Sequence, residues 1–229
     1  MDNVGGPRPE SGADRGGHGC ADAVSAAFPS SGIYAREWLS RFRALYDDAA
    51  SNPQTALGLF YDRHRRFVAE PAGDPLSRPE YTFEEWNRTL SVFLGSLARE
   101  FGLVQAESWS EVPQLLWYWH GVANSPAVAI REVNVAGESV IQQDVPSVVN
   151  AGALLSVLIL YPDFPPPYGT STMEEAREHW RSRIAMELDR LDLHREFLLA
   201  TISAFDWELP SHWSGFEWRS GERSMAPVP

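Results

Sequence analysis

The chain has 229 residues, and its 31 acidic and 19 basic residues give a formal net charge of −12 at pH 7. All 19 basic residues are arginine, which excludes chemistry that needs a lysine amine, such as a Schiff base or a phosphate-loop lysine. The single cysteine, Cys20, excludes an internal disulfide framework and a cysteine-rich zinc site. The longest apolar run, residues 151–161, is shorter than a membrane span, and we expect a cytoplasmic protein that does not bind membranes.

Residues 1–30 predict a disordered tail, because they are rich in glycine and proline and contain a single aromatic residue. Residues 31–70 predict a helical addition made of two amphipathic helices. The second of these helices carries a dense basic run, Arg63, Arg65 and Arg66. These arginines are candidate binding residues: an exposed charged face is the favoured interpretation, and contact with phosphate groups is the alternative.

Residues 80–219 predict an α/β domain with a mixed central sheet flanked by helices. Thr82 and Glu85 have the spacing of a capping box and open a helix that ends near Gly102. The periodicity then predicts, in chain order, strands at 103–109, 112–120 and 127–134, a helix at 144–151 capped by Asp144, a strand at 154–161, a helix at 172–192, a strand at 197–205 and an edge strand at 216–219. Residues 220–229 are interpreted as a flexible C-terminal tail.

The segment from Trp117 to His120 is aromatic and has two interpretations. It could form a stacking platform for bases, or its alternate residues could enter the core. Because side chains alternate along a strand, Trp117 and Trp119 share one face, and the core interpretation is favoured.

Three segments carry a family resemblance. Residues 114–117, 128–134 and 157–162 read Q-L-L-W, V-A-I-R-E-V-N and V-L-I-L-Y-P. They resemble a short strand that ends in Trp, a strand reading A-I-E-x-E-N and a strand reading V-L-I-x-Y-P, which are found among relatives of the PD-(D/E)XK, or restriction-endonuclease-like, nuclease superfamily. The resemblance covers about half of the chain, residues 82–162 and more loosely to 219. It implies a restriction-endonuclease-like αβββαβ core, preceded here by the N-terminal helical addition.

The resemblance implies a nuclease site in which carboxylates on adjacent strands hold Mg²⁺ and a Lys assists the attacking water. In this sequence most of the motif residues are replaced. Gln114 occupies the position of the motif Asp, and Arg131 and Val133 occupy the positions of the two motif carboxylates. Of the motif residues compared, only Asn134 is retained. Shifting the strand by one residue places Glu132 at the carboxylate and Asn134 at the position of the Lys. Because strand side chains alternate, Glu132 and Asn134 then share one face and Arg131 points to the other.

Glu100 is a further metal candidate, since this superfamily often contributes an acid from the helix before the sheet. Its position beside Arg99 at a helix end favours an exposed charge instead. For Glu132, a paired structural charge is favoured over a functional one. Two interpretations of Arg131 stay open: an ion-pair partner for nearby acids, or a positive charge that replaces a metal in an inactivated site.

These residues lead us to expect a nuclease-like fold that has lost catalysis and acts as a binding or regulatory module, with a protein or a nucleic acid as its partner. Gln114, Glu132 and Asn134 are the candidate catalytic residues, and Arg131, Arg63, Arg65 and Arg66 are the candidate binding residues. The alternative is an active nuclease that uses Mg²⁺ or Mn²⁺ held by Glu132 and Glu100. Without that activity, no cofactor is expected.

Overall fold

The computed structural model describes residues 33–69, 83–108, 114–122, 124–133, 136–162, 172–202 and 213–229. The predicted tail at 1–30 and Asn134 lie outside these residues, as does Thr82 of the predicted capping box. The described helices are α1 (Ala35–Ser51), α2 (Ala56–Ala69), α3 (Phe83–Glu100), α4 (Val145–Asn150) and α5 (Met173–Arg190). The described strands are β1 (Leu103–Ser108), β2 (Gln114–Trp119), β3 (Val128–Val133), β4 (Leu155–Leu160), β5 (Glu196–Thr201), β6 (Ser214–Arg219) and β7 (Ser224–Val228).

The seven strands form one mixed sheet in which each strand lies beside its neighbours in sequence. Strands β1, β2 and β3 form an antiparallel meander, as the short, turn-separated apolar segments predict. Strands β3, β4 and β5 are parallel, so each connection between them must cross over the sheet, and α4 and α5 lie in those connections. The predicted α/β class with a mixed sheet is therefore confirmed, and the order of elements from α3 to β5 is as expected.

Helices cover both faces of the sheet. Because side chains alternate along the central strands, neighbouring residues pack against different helical layers. Val128 and Ile130 belong to the core cluster that includes residues of α1, α2 and α3. Ala129 and Val133 belong to the cluster that includes residues of α4 and α5. Strand β4 is buried along its whole length, as a strand covered on both faces should be.

The N-terminal helical addition shares its core with the sheet. Helix α1 turns an apolar stripe inward, and Trp38 and Phe42 on that stripe are fully buried. The ring centroid of Trp38 lies 6.1 Å from that of Trp117 on β2. Trp117 therefore belongs to the core, as favoured from the sequence, whereas His120 at the end of the same segment is exposed.

Helix α5 begins with a capping box at Thr172 and Glu175. The Thr172 hydroxyl oxygen accepts a hydrogen bond from the Glu175 backbone N–H at 3.1 Å, and the Glu175 carboxylate accepts one from the Thr172 backbone N–H at 3.0 Å. This reciprocal pair satisfies two donors at the helix start.

The predicted flexible tail at 220–229 is wrong. Strand β7 pairs antiparallel with β6, and Met225 and Val228 are buried. The segment 216–219 is accordingly part of an inner strand and not of the edge that the sequence predicts. The reason is that Met225 packs in the same core cluster as Trp218, which the short apolar pattern of the last ten residues does not reveal.

Candidate functional site

The candidate site lies at the carboxyl ends of the parallel strands β3 and β4. In α/β sheets this end is the usual location of ligands and chemistry. Neighbouring residues of β3 face opposite sides of the sheet here: Arg131 contacts a residue before α4, while Glu132 contacts the residue after β4. This opposition is the one that strand alternation predicts.

Glu132 accepts a hydrogen bond from a buried aromatic pair. The Tyr161 hydroxyl donates to Oε1 of Glu132 at 2.8 Å, and the Trp86 indole N–H donates to the Tyr161 hydroxyl oxygen. Tyr161 and Trp86 are both almost fully buried. The chain Trp86–Tyr161–Glu132 therefore links α3, the end of β4 and β3 through one line of polar groups inside the core.

Burial raises the pKa of Glu132 to about 7. The hydrogen bonds from Tyr161 and Trp86 and the nearby charge of Arg131 act in the opposite direction, and burial outweighs them. A carboxyl group with this pKa is protonated in about half of the molecules near neutral pH. It can donate as well as accept a proton, but it is a poorer ligand for a hard cation than a permanently ionised carboxylate.

Two further buried hydroxyl groups lie close to the hydrogen-bonded residues Trp86, Tyr161 and Glu132. The hydroxyl oxygens of Tyr46 on α1 and Tyr61 on α2 are 2.7 Å apart, and both side chains are fully buried. Burial raises the pKa of Tyr46 well above its ordinary value, and the charge of Tyr161 acts in the same direction. Burial also raises the pKa of Tyr161, supported by the charge of Glu132. Tyr46 and Tyr161 are therefore neutral hydrogen-bonding groups at physiological pH and not nucleophiles.

On the other face of the sheet, Arg131 forms an ion pair with Asp144. Arg131 Nε lies 2.8 Å from Asp144 Oδ1, and the two side chains are 22% and 6% exposed. Asp144 is the last residue of a π-helical turn, Val140–Asp144, that runs directly into α4. The pair thus connects β3 to the turn before α4.

The predicted capping role of Asp144 is wrong. Its backbone is already helical, with φ −71° and ψ −47°, and its side chain makes no capping hydrogen bond. A side chain that caps a helix normally extends from a residue in the β region. Because the π-helical turn continues the helix backward, the Asp144 carboxylate is released from capping and reaches Arg131.

The remaining candidates are dispersed. Gln114 begins β2, and extending the antiparallel pairing of Leu115 with Ile130 by one residue sets the backbone of Gln114 opposite Arg131. Glu100 is exposed at the end of α3, as favoured from the sequence.

In the basic run, Arg63 pairs with Glu85 at 2.5 Å. The backbones of Arg65 and Arg66 lie in α2, and their side chains are outside the described residues. Within the described part of the chain, His, Cys, Asp and Glu side chains form no group of three or more placed to hold a metal.

Sequence reasoning did not single out Tyr161, Trp86 or the pairing of Asp144. For Tyr161 a signal was present: Glu132 and Tyr161 both fall at the ends of predicted strands, and the ends of adjacent parallel strands meet at one edge of a sheet. Trp86 carries no such signal, because it is one of several apolar residues on the inner face of α3.

The chain matches no protein-family model and no curated protein sequence. Across the residues described, none of the helices combines the length and the apolar character needed to cross a bilayer.

Proposed function

We propose that this protein is a nuclease-like scaffold that has lost metal-dependent catalysis and acts as a binding or regulatory module. The observation that carries the proposal is the ion pair between Arg131 and Asp144 at the end of β3. The element order α3, β1, β2, β3, α4, β4 supports the restriction-endonuclease-like αβββαβ core that the resemblance implies.

The residues present do not fit the Mg²⁺ or Mn²⁺ of an active nuclease. A hard cation needs carboxylate oxygens at the motif strand, and the residue that aligns with the first motif carboxylate is the cation Arg131. A guanidinium stays positively charged in proteins, so Arg131 already supplies, beside the Asp144 carboxylate, the positive charge that a metal ion would otherwise supply.

Glu132 does not restore the missing carboxylate. It lies on the opposite face of the sheet from Arg131 and Asp144, and it accepts a hydrogen bond from Tyr161. Its pKa of about 7 leaves it partly protonated under the conditions in which a metal nuclease works. Glu132 and Asp144 therefore cannot act as one pair of metal-binding carboxylates across the sheet.

The charge of the chain favours a protein partner over a nucleic acid. A net charge of −12 repels phosphate groups, and Arg63, one of the three candidate binding arginines on α2, is already paired with Glu85. We expect labelled DNA and RNA to bind weakly at physiological salt, as measured by fluorescence anisotropy.

The decisive experiment is a cleavage assay. Purified full-length protein is incubated with single- and double-stranded DNA and RNA in the presence of Mg²⁺ or Mn²⁺, in parallel with Glu132→Gln and with Glu84→Gln as the exposed control. No hydrolysis by any of the three proteins is the expected result. Cleavage by the wild type and by Glu84→Gln that is lost in Glu132→Gln would overturn the proposal in favour of an active nuclease.

A further inference from the structure

A groove of about 310 Å³ lies between α1, α2 and α3, on the surface of the helical layer. Its volume is within the usual range of small-molecule sites, about 300–1,000 Å³. Leu45, Phe93 and Leu97 are among the apolar residues that line it. Val92, also in the lining, is 55% exposed, so part of the apolar surface of the groove faces solvent.

The charged groups that line the groove are both acidic. They are Asp48 on α1 and Glu100 at the end of α3. Both are exposed, and neither side chain has an ion pair or hydrogen bond among the described residues. By contrast, Glu37, Glu138 and Glu217 are each paired with an arginine.

Two arginines near the groove are engaged elsewhere. The Arg41 guanidinium pairs with Glu37 at 2.9 Å and lies 4.7 Å from the centroid of the Phe101 ring, although it also donates to the Glu100 backbone carbonyl at 3.4 Å. Arg99 donates to the Ser96 hydroxyl oxygen at 2.8 Å. The carboxylates of Asp48 and Glu100 therefore stay available to a cation from outside.

We propose that this groove binds a cationic amphiphile, an ammonium or guanidinium group carried on an aliphatic chain. The apolar side chains would cover the chain and a carboxylate would face the cation. Val92 and Glu100 lie eight residues apart on α3, which is about 12 Å along the helix and suits an extended chain better than a compact ion. The net charge of −12 adds long-range attraction for a cation. The inference does not depend on the proposed loss of nuclease activity.

The probe is octylammonium, titrated into the full-length protein by calorimetry and by amide chemical-shift mapping. Saturable binding with a Kd on the order of 1 mM or tighter is expected, from the apolar surface that an octyl chain can bury. The shifts should map to α1 and to the second half of α3. Octanoate, which has the same tail and the opposite charge, should not bind.

Variants test the two carboxylates and the space in the groove separately. Asp48→Asn and Glu100→Gln should each weaken octylammonium binding about threefold, and the double variant about tenfold, since an exposed ion pair is a modest contribution. Ser96→Trp, which fills the groove from an exposed position, should abolish binding. Glu84→Gln, at the opposite end of α3 from Glu100 and outside the lining, should leave it unchanged.

Three outcomes would each overturn the inference: no saturable binding of octylammonium, binding of octanoate with equal affinity, or unchanged binding by the double variant. All the substitutions are at exposed positions, so their thermal unfolding midpoints should match the wild type and a loss of binding cannot be a loss of folding.

Discussion

At the end of β3, two consecutive side chains lie in different environments on opposite faces of the sheet. Arg131 lies against the carboxylate of Asp144, and Glu132 accepts a hydrogen bond from the buried Tyr161 hydroxyl. In the unfolded chain the two residues are equally hydrated neighbours. Folding separates them by placing a different helical layer over each face of the sheet, and it changes the chemistry of each.

The raised pKa of Glu132 makes stability depend on pH. Its folded-state pKa of about 7 exceeds the ordinary value of 4.5, so between these pH values the folded state binds more protons than the unfolded state. Stability contributed by this group is therefore present at low pH and is lost as pH rises toward 7. At about 1.4 kcal/mol for each of roughly 2.5 pH units, the upper bound is about 3.5 kcal/mol. Because the Glu132 residue keeps some exposure, we expect about 2 kcal/mol.

Glu132→Gln should remove this dependence. The neutral amide has a carbonyl oxygen that can still accept from Tyr161, and it pays no desolvation cost for a charge. The variant should be more stable than the wild type by about 2 kcal/mol at pH 8 and nearly equal at pH 5, measured by urea unfolding. Glu100→Gln, an exposed substitution of the same type, is the control. Parallel pH profiles for wild type and Glu132→Gln would contradict the prediction.

The side chains of Arg131 and Asp144 should be energetically coupled in the folded protein. Asp144→Asn removes the carboxylate charge that lies 2.8 Å from the partly buried Arg131 guanidinium, and it should lower the free energy of unfolding by about 1–3 kcal/mol. The double variant Arg131→Met/Asp144→Asn should lose less than the sum of the single variants, with a coupling energy of about 1–2 kcal/mol from a double-mutant cycle in urea. Additive single effects would show that the contact is not energetically coupled.

At the scale of elements, short sequence signals and close packing decide where helices begin and how near they approach. The threonine at the start of α5 caps the helix through the reciprocal pair with Glu175. At the start of α2, a Cβ on Gly58 would overlap the carbonyl oxygen of Asn52, so only glycine lets α2 approach the end of α1 this closely.

Thr172→Ala should lower the free energy of unfolding by about 1 kcal/mol, because the first turn of α5 loses a hydrogen-bond acceptor. Thr172→Ser keeps a hydroxyl in the same place and should lie within a few tenths of a kcal/mol of the wild type. Equal losses in the two variants, measured by thermal unfolding, would show that the hydroxyl is not what stabilises the helix start.

Gly58→Ala should lower the free energy of unfolding by about 1–3 kcal/mol, because the added methyl group forces the α1–α2 junction apart. Gly137→Ala is the matched control: its Cβ would meet no atom within 4 Å, and we expect a change below about 0.5 kcal/mol. Chemical denaturation of both variants tests the comparison, and a neutral Gly58→Ala would contradict the close approach.

For the whole molecule, residues 33–229 form one compact unit, and β4 is the central strand of its seven-stranded sheet. Strand β4 is paired on both sides and buried on both faces, whereas β1 and β7 each have one paired side in the described sheet. Amide hydrogens of β4 should therefore exchange most slowly among the described strands and those of β1 and β7 fastest. Hydrogen exchange followed by mass spectrometry measures this order, and equal protection of β1 and β4 would contradict it.

The sequence by itself determined the type and order of the elements from α3 to β5, since these follow from apolar periodicity within short stretches. It also determined that Arg131 and Glu132 point to opposite faces, because strand alternation is local. Only the tertiary structure decided what those side chains meet. Trp86 and Tyr161 are 75 residues apart, and Tyr161 and Glu132 are 29 apart. Contacts at such separations depend on how layers pack, and the same packing turned the C-terminal residues into β7 and raised the pKa of Glu132.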